Sequence, residues 1–170
     1  SVLLRPDVPP AETPVFTLAA AVAATRAARE VGVPAEIKWP NDVLVPHGAE
    51  STDAGPRGGQ KLAGILTEME GEADRGPWVA VGIGVNANVD VADLVEGATS
   101  IRAETGDVDR RVFTQRLLEE FYDLTSDPES VVPAWREYAA TLGQRVRVET
   151  PGGTVEGEAV DVRFPGALLV

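Results

Sequence analysis

The apolar positions of this chain change period several times, and each change predicts an element. A short apolar run over residues 2–5 reads as a strand, after which Pro6, Pro9 and Pro10 force a rigid extended connection. Thr13 and Pro14 then form an N-cap and first helical position, and Val15, Leu18, Ala19 and Val22 recur on one helical face. Gly32 and Pro34 close that helix near Val31, and its Ala-rich body from Ala19 to Ala28 permits close approach to a sheet. Two short apolar pieces follow, Ala35 to Trp39 and Val43 to Val45, separated by the turn residues Pro40-Asn41-Asp42. Residues 46–60 have no periodicity and predict a surface loop long enough to be an insertion.

Beyond that loop, Lys61 to Glu70 and Trp78 to Asn86 predict two strands joined as a hairpin through the polar stretch Gly71 to Pro77. The second run carries no charge from Trp78 to Val85, which predicts burial on both faces. A loosely structured segment is expected up to about Gly106. Asp109 can then cap a helix whose stripe is Phe113, Leu117, Phe121 and Leu124. Asp127-Pro128 opens another helix that carries Val131, Val132, Trp135 and Tyr138 and is expected to run to Gly143. From Gln144 the period becomes two: Val146 and Val148, a Gly152-Gly153 turn, one strand over Val155 to Val162, then Ala167 to Val170. Such a tail resembles the first strands of a small barrel.

Composition narrows the function classes. A length of 170 residues with 44% hydrophobic content supports a folded core, so disorder is excluded as the default. With 27 acidic against 15 basic residues and a net charge of -12, the chain repels phosphate backbones and anionic lipid, which argues against a nucleic-acid or membrane surface. No run reaches the roughly 18 apolar residues of a bilayer span, and the start has no signal-peptide pattern, so a soluble cytoplasmic protein is expected. The absence of Cys excludes disulfides, a thiolate nucleophile and sulfur-ligated metal, and one His excludes a poly-imidazole site. Thirteen of the 15 basic residues are Arg and acidic residues dominate the rest, a balance expected of a chain adapted to high salt. Both ends fall inside strand-like runs, Ser1-Val2-Leu3-Leu4 and Ala167-Leu168-Leu169-Val170, as expected of a piece of a longer protein.

Candidate chemistry concentrates in three places. Lys38-Trp39-Pro40-Asn41-Asp42 sets a cation, an aromatic, an amide and a carboxylate on a rigid turn, although a half-buried Trp beside a solvated Lys explains the same pattern. Lys61 opens a strand in which Gly64 signals close approach of a ligand or another backbone. Lys38 and Lys61 are the chain's only lysines, and both stand beside turns where an ammonium could meet phosphate oxygens. Gly82-Ile83-Gly84-Val85-Asn86-Ala87 imitates a dinucleotide fingerprint, but no helix pattern follows it, so the glycines are better read as bringing backbone next to a flat ligand. Asn86 can read a base edge or serve as a turn residue. His47 falls in the loop and is expected to be solvated, and Glu68 is a weak candidate ligand for magnesium.

Taken in order and spacing, Lys38-Trp39-Pro40-Asn41-Asp42, Lys61-Leu62-Ala63-Gly64-Ile65-Leu66 and Val81-Gly82-Ile83-Gly84-Val85-Asn86-Ala87-Asn88 resemble the biotin protein ligase family over nearly the whole chain. Gly166-Ala167-Leu168-Leu169 resembles the family's late strand. The resemblance implies an α+β fold: a mixed sheet like that of class II aminoacyl-tRNA synthetases over residues 1–142, then an SH3-like barrel from 143 to 170, both incomplete. It implies that biotin and MgATP condense to biotinyl-5'-adenylate and that the biotinyl group passes to a lysine of a biotin carboxyl carrier domain. On that resemblance Lys61 and Asp42 are catalytic, Lys61 by neutralising the reacting carboxylate and α-phosphate. Lys38, Asn41 and Asp42 organise nucleotide and amine, Gly64 and Ile65 line the biotin pocket, Asn86 contacts adenine, and Trp39, Gly82 and Gly84 complete the binding set, with no resident metal. The family's Gly/Arg-rich biotin loop belongs upstream of Ser1, so these residues alone are expected to be inactive. Homodimerisation through a sheet edge occurs in the family. A lipoate or octanoate ligase on the same scaffold and a biotin-sensing or non-catalytic binding module are the competing readings.

Overall fold

A computed structural model describes residues 1–46, 58–72 and 76–170. Of the long loop expected over 46–60, only the ends fall within these residues; His47 and the tip of the Gly71 to Pro77 connection lie outside them. Five strands, β1 (Val2–Leu4), β2 (Glu36–Lys38), β3 (Asp42–Pro46), β4 (Gly59–Glu72) and β5 (Gly76–Val85), form one sheet in the order β1-β5-β4-β3-β2. Every pairing in it is antiparallel.

One face of this sheet is covered by α1 (Val15–Glu30), with α3 (Arg110–Ser126) and α4 (Val131–Glu137) packed against α1. Small side chains make the close approach possible: Ala19, Ala20, Ala21, Ala23 and Ala28 are all fully buried. Thr17 Oγ1 donates to Thr67 Oγ1 at 2.8 Å, in keeping with a β4 whose odd-numbered residues from Ala63 onward face the helix. Ala63 and Ile65 are accordingly buried, whereas Leu66 on the alternate face is 65% exposed. The helix starts without a Thr13 side-chain cap, because Thr13 Oγ1 donates instead to the Pro10 carbonyl at 2.8 Å. It stops at Gly32, whose φ of 89° turns the chain out of the helix.

The stripe Phe113, Leu117, Phe121 and Leu124 is buried as the periodicity predicts, and Asp109 accepts from the backbone N–H of Arg111 at 2.9 Å to cap α3. Four expectations need correction. The segment before Gly106 contains a short helix, α2 (Ile101–Thr105), capped by Ser100, whose Oγ accepts from Ala103 N–H. β5 is buried on one face only: Val79 and Val81 are inaccessible, but Gly84 on the other face is exposed.

The third correction concerns α4, which ends at Glu137 rather than Gly143. Ile37 N–H donates to the Tyr138 carbonyl and Ala140 N–H to the Ile37 carbonyl, so residues 138–140 leave the helix to cover the edge of β2. Finally, the run Val155 to Val162 is two strands, β7 (Gly153–Glu158) and β8 (Asp161–Arg163). Ala159, fully buried, exchanges hydrogen bonds with Gly143 and Gln144, and that anchoring breaks the run. β7 pairs with β6 (Arg145–Thr150) and β8 with β9 (Ala167–Leu169) as two separate two-stranded sheets. Among the described residues, no helix is long and apolar enough to cross a membrane.

Candidate functional site

The site grows from an irregularity in the sheet. Val43 pairs with Ala63, yet Leu44 pairs with Lys61, so Leu62 is an extra residue in β4. In a regular strand, residues three apart point to opposite faces; the bulge re-aims Lys61 so that it shares the outer face with Gly64. Asp42, Gly64 and Gly84 lie in one row across that face, through the registers Asp42 with Gly64 and Gly64 with Gly84. Lys61 Nζ crosses over Gly64 to meet Asp42 Oδ1 at 2.5 Å. An ideal Cβ at position 64 would stand 3.1 Å from both Cε and Nζ of Lys61, so the close approach signalled by Gly64 is that of the lysine's own side chain.

Two amides hold this arrangement. Asn41 Nδ2 donates to the Ile65 carbonyl at 2.8 Å and Ile65 N–H returns a bond to the Asn41 carbonyl at 2.9 Å, which pins the turn after β2 onto β4. Asn86 Nδ2 donates to the carbonyls of Thr99, at 3.0 Å, and Lys61, at 3.3 Å, while its backbone joins Leu62 and Ile101. Its side-chain NH2 thus supports the backbone that carries Lys61. Backbone bonds between Lys61 and both Gly97 and Thr99 complete that support.

Trp39 acts as a latch. Its N–H donates to Thr141 Oγ1 at 2.8 Å and its indole Nε1 to the Gly166 carbonyl at 2.9 Å, tying the turn to the β8–β9 sheet. Between the turn and β6 opens a cleft of about 840 Å³, with Lys38, Asp42, Lys61, Arg145, Arg147 and Glu149 among its lining. Among the described residues, four cations against two carboxylates line this cleft, a positive bias within a chain of net charge -12. Walls of low dielectric concentrate that field on an anionic ligand. Lys38 is exposed and stands across from Asp42 in the β2–β3 register.

The structure therefore brings together Lys38, Asn41, Asp42, Lys61, Gly64 and Gly84. Gly82 lies farther along the same outer face, opposite Leu66. Ile65 is placed differently: its side chain faces the helix layer, 3% exposed, so only its backbone serves the site. Arg145, Arg147 and Thr141 were not singled out in sequence. The alternation Arg145-Val146-Arg147-Val148 was the available signal, since period two sets both guanidinium groups on one face. Among the described residues no group of three His, Cys, Asp or Glu is placed to hold a metal ion.

Comparison with known proteins adds independent information. Residues 1–88 match the biotin/lipoate A/B protein ligase family, and residues 141–170 match the biotin protein ligase C terminal domain. The bifunctional ligase/repressor BirA of Bacillus subtilis is 36% identical over 181 residues, covering 100% of this chain and 52% of BirA. The biotin--[acetyl-CoA-carboxylase] ligase of Mycobacterium tuberculosis is 36% identical over 145 residues, 81% of this chain and 48% of that ligase. The chain thus spans about half the length of the curated relatives it matches. Among solved structures, the apo biotin protein ligase from Aquifex aeolicus superposes with a TM-score of 0.73 at 23% identity, covering 99% of this chain and 72% of that one. The same ligase in complex with biotin and ATP gives 0.71 at 23% identity, covering 99% and 68%. These superpositions show a shared mixed fold of antiparallel sheet and helices.

Proposed function

Because the chain belongs to the biotin/lipoate A/B protein ligase family, we propose that it forms part of an ATP-dependent biotin ligase acting on a biotin carboxyl carrier domain in the cytoplasm. Residues 1–142 would belong to the catalytic domain, built on a class II synthetase-like sheet, and residues 143–170 to an SH3-like barrel. The observation that carries this reading is the Lys61–Asp42 pair, held over Gly64 at the mouth of a cation-rich cleft.

In the first step a biotin carboxylate oxygen attacks the α-phosphorus of ATP, and the bond to the leaving pyrophosphate breaks. Two anions must approach each other, so the ammonium of Lys61 offsets charge that peaks in the transition state. Lys38, Arg145 and Arg147 line the cleft where polyphosphate charge would gather. Magnesium would arrive with the phosphates of ATP, as is usual for an ion that keeps most of its own waters. In the second step the carrier lysine's amine attacks the acyl carbon and AMP leaves; Asp42 stands beside Lys61 where it can accept the proton released. Gly64 and Gly84 add no side chain of their own to the outer face, which leaves room beside Lys61 for a flat ligand.

The match of residues 141–170 to a biotin ligase domain favours biotin over lipoate or octanoate. The test is biotin-dependent exchange of labelled pyrophosphate into ATP by the intact protein at high salt, with lipoate as control. Lys61→Ala should lower exchange by about 10²–10³-fold, the usual loss when one stabilising group is removed. No biotin-dependent exchange by the intact protein would move the reading to a binding or regulatory module, and exchange that survives Lys61→Ala would refute the role given to Lys61.

A further inference from the structure

At the bulge, β4 changes neighbour. Ala63 still pairs with Val85, the last residue of β5, but Lys61 bridges in parallel to Ala98 instead. Its N–H donates to the Gly97 carbonyl at 2.8 Å, and its carbonyl accepts from the Thr99 N–H at 3.0 Å. Residues 97–99 therefore take the place of a strand at the point where Lys61 is turned outward. Without that exchange of partners, the two-residue period that sends Ala63 and Ile65 toward α1 would send Lys61 there as well.

Thr99 is the hub of this junction. Its backbone N–H holds Lys61, its carbonyl accepts from Asn86 Nδ2 at 3.0 Å, and its hydroxyl donates to Glu104 Oε1 at 2.6 Å. Thr99 is 1% exposed, and Ser100 beside it is fully buried. A hydroxyl that donates to a carboxylate makes a charge-assisted bond, roughly twice as strong as a neutral one. Glu104 stands on α2, whose start is fastened by Ile101 N–H to the Asn86 carbonyl at 2.9 Å and by Arg102 N–H to the Ala87 carbonyl at 3.0 Å. Ser100 Oγ donates to the Val89 carbonyl at 2.6 Å, so the anchor of Thr99 is secured by bonds that do not involve Lys61. The ammonium of Lys61 rides on a flexible aliphatic stem, and its reach over Gly64 to Asp42 depends on where the backbone starts it.

We propose that Thr99, gripped by Glu104, is a positioning residue for Lys61: it holds the bulged backbone so that the ammonium is delivered over Gly64. Among the described residues that line the cleft, neither Thr99 nor Glu104 appears, so the pair acts through Lys61 and not on a ligand. The proposal rests on the role given to Lys61 above.

Pyrophosphate exchange by the intact protein, followed against both biotin and ATP, supplies the test. Thr99→Val keeps the shape and removes the hydroxyl; it should lower kcat about tenfold with both KM values within about twofold, short of the roughly 10²-fold cost of a full ångström of misplacement. Glu104→Ala, at a partly exposed position, should do the same. Thr99→Ser and Glu104→Gln, which keep a donor and an acceptor, should stay within about twofold of the parent. In a Lys61→Ala background Thr99→Val should cost nothing more, because the group it misplaces is gone. Amide hydrogen exchange reads the hold directly: the Lys61 and Thr99 N–H groups should lose protection about tenfold in Thr99→Val and keep it in Thr99→Ser. An active parent whose Thr99→Val variant keeps its kcat, loses as much again in the Lys61→Ala background, or leaves those amides unchanged would overturn the proposal alone. A parent without biotin-dependent exchange would overturn the ligase reading and this proposal with it, an outcome read before any variant is compared.

Discussion

Replacing Gly64 by Ala separates the placement of Lys61 from its charge. The backbone at 64 is outside the left-handed region, so it accepts Ala without strain. The new Cβ would stand 3.1 Å from Cε and Nζ of Lys61. Contacts of this kind settle at about 3.5–4.0 Å, so the ammonium must retreat by roughly 0.5–1 Å. At 2.5 Å from Asp42 Oδ1 it has no shorter route to take. A displacement near 1 Å in a reacting constellation costs about 10²-fold in rate. Stability should hardly move, because the pair joins side chains 47% and 25% exposed, worth about 0–1 kcal/mol. The loss of chain freedom in the unfolded state favours Ala by about 0.4–1 kcal/mol, with the opposite sign. Pyrophosphate exchange should therefore fall about 100-fold, while the urea midpoint reports a change below about 1 kcal/mol. In a Lys61→Ala background the same substitution should cost nothing more, because there is no ammonium left to displace. Exchange by Gly64→Ala within about twofold of the parent, or a full additional loss in the Lys61→Ala background, would refute this account.

Other expectations follow from single contacts. Asp109→Ala should cost about 0.5–2 kcal/mol in urea unfolding by removing the cap of α3. Trp39→Phe should remove the bond to the Gly166 carbonyl, cost about 1 kcal/mol, and reduce hydrogen-exchange protection over residues 161–169. Trp135 is fully buried and its indole N–H has no partner among the described residues, so Trp135→Ala should cost about 3–5 kcal/mol, and Trp135→Phe much less because it also removes that donor. Arg136 donates to both oxygens of Asp161 at 2.7 and 2.9 Å, and with the Val162 N–H it holds that carboxyl below the ordinary aspartate range. That contribution is fully present above the ordinary value near pH 4 and is lost as pH falls through the lowered one. Carboxyl NMR titration should place the Asp161 midpoint below the ordinary value and show it rising in Arg136→Gln.

The strands, the two long helices and the site turn were legible because each carries a local signal. Alternation marks β6, a 3.6-residue stripe marks α3, and Pro and Gly mark breaks between elements. What escaped was decided by contacts distant in sequence. Nothing within residues 138–142 announces that Tyr138 and Ala140 bond to Ile37, and nothing in Val155 to Val162 announces that Ala159 bonds back to Gly143 and Gln144. The same holds at the site. Lys61, Asp42 and Gly64 could be named from their motifs, but the bulge at Leu62 that turns Lys61 onto their face is a property of strand register. Ile65 shows the converse: it sits beside Gly64 in sequence, yet the two-residue period of the strand sends its side chain into the core.

The strand order has a consequence for how the molecule assembles. β2, β3, β4 and β5 are neighbours in the sheet in the same order as in the chain, so each of their pairings closes only the segment between consecutive strands. β1 is different, since Val2 must find Val81 across nearly half the chain for a contact three residues long. Local pairings form early and cheaply, whereas a pairing joined at long range forms late. The row Asp42–Gly64–Gly84 lies wholly within the meander. The site row therefore forms with the local meander and does not depend on the long-range pairing of β1 with β5.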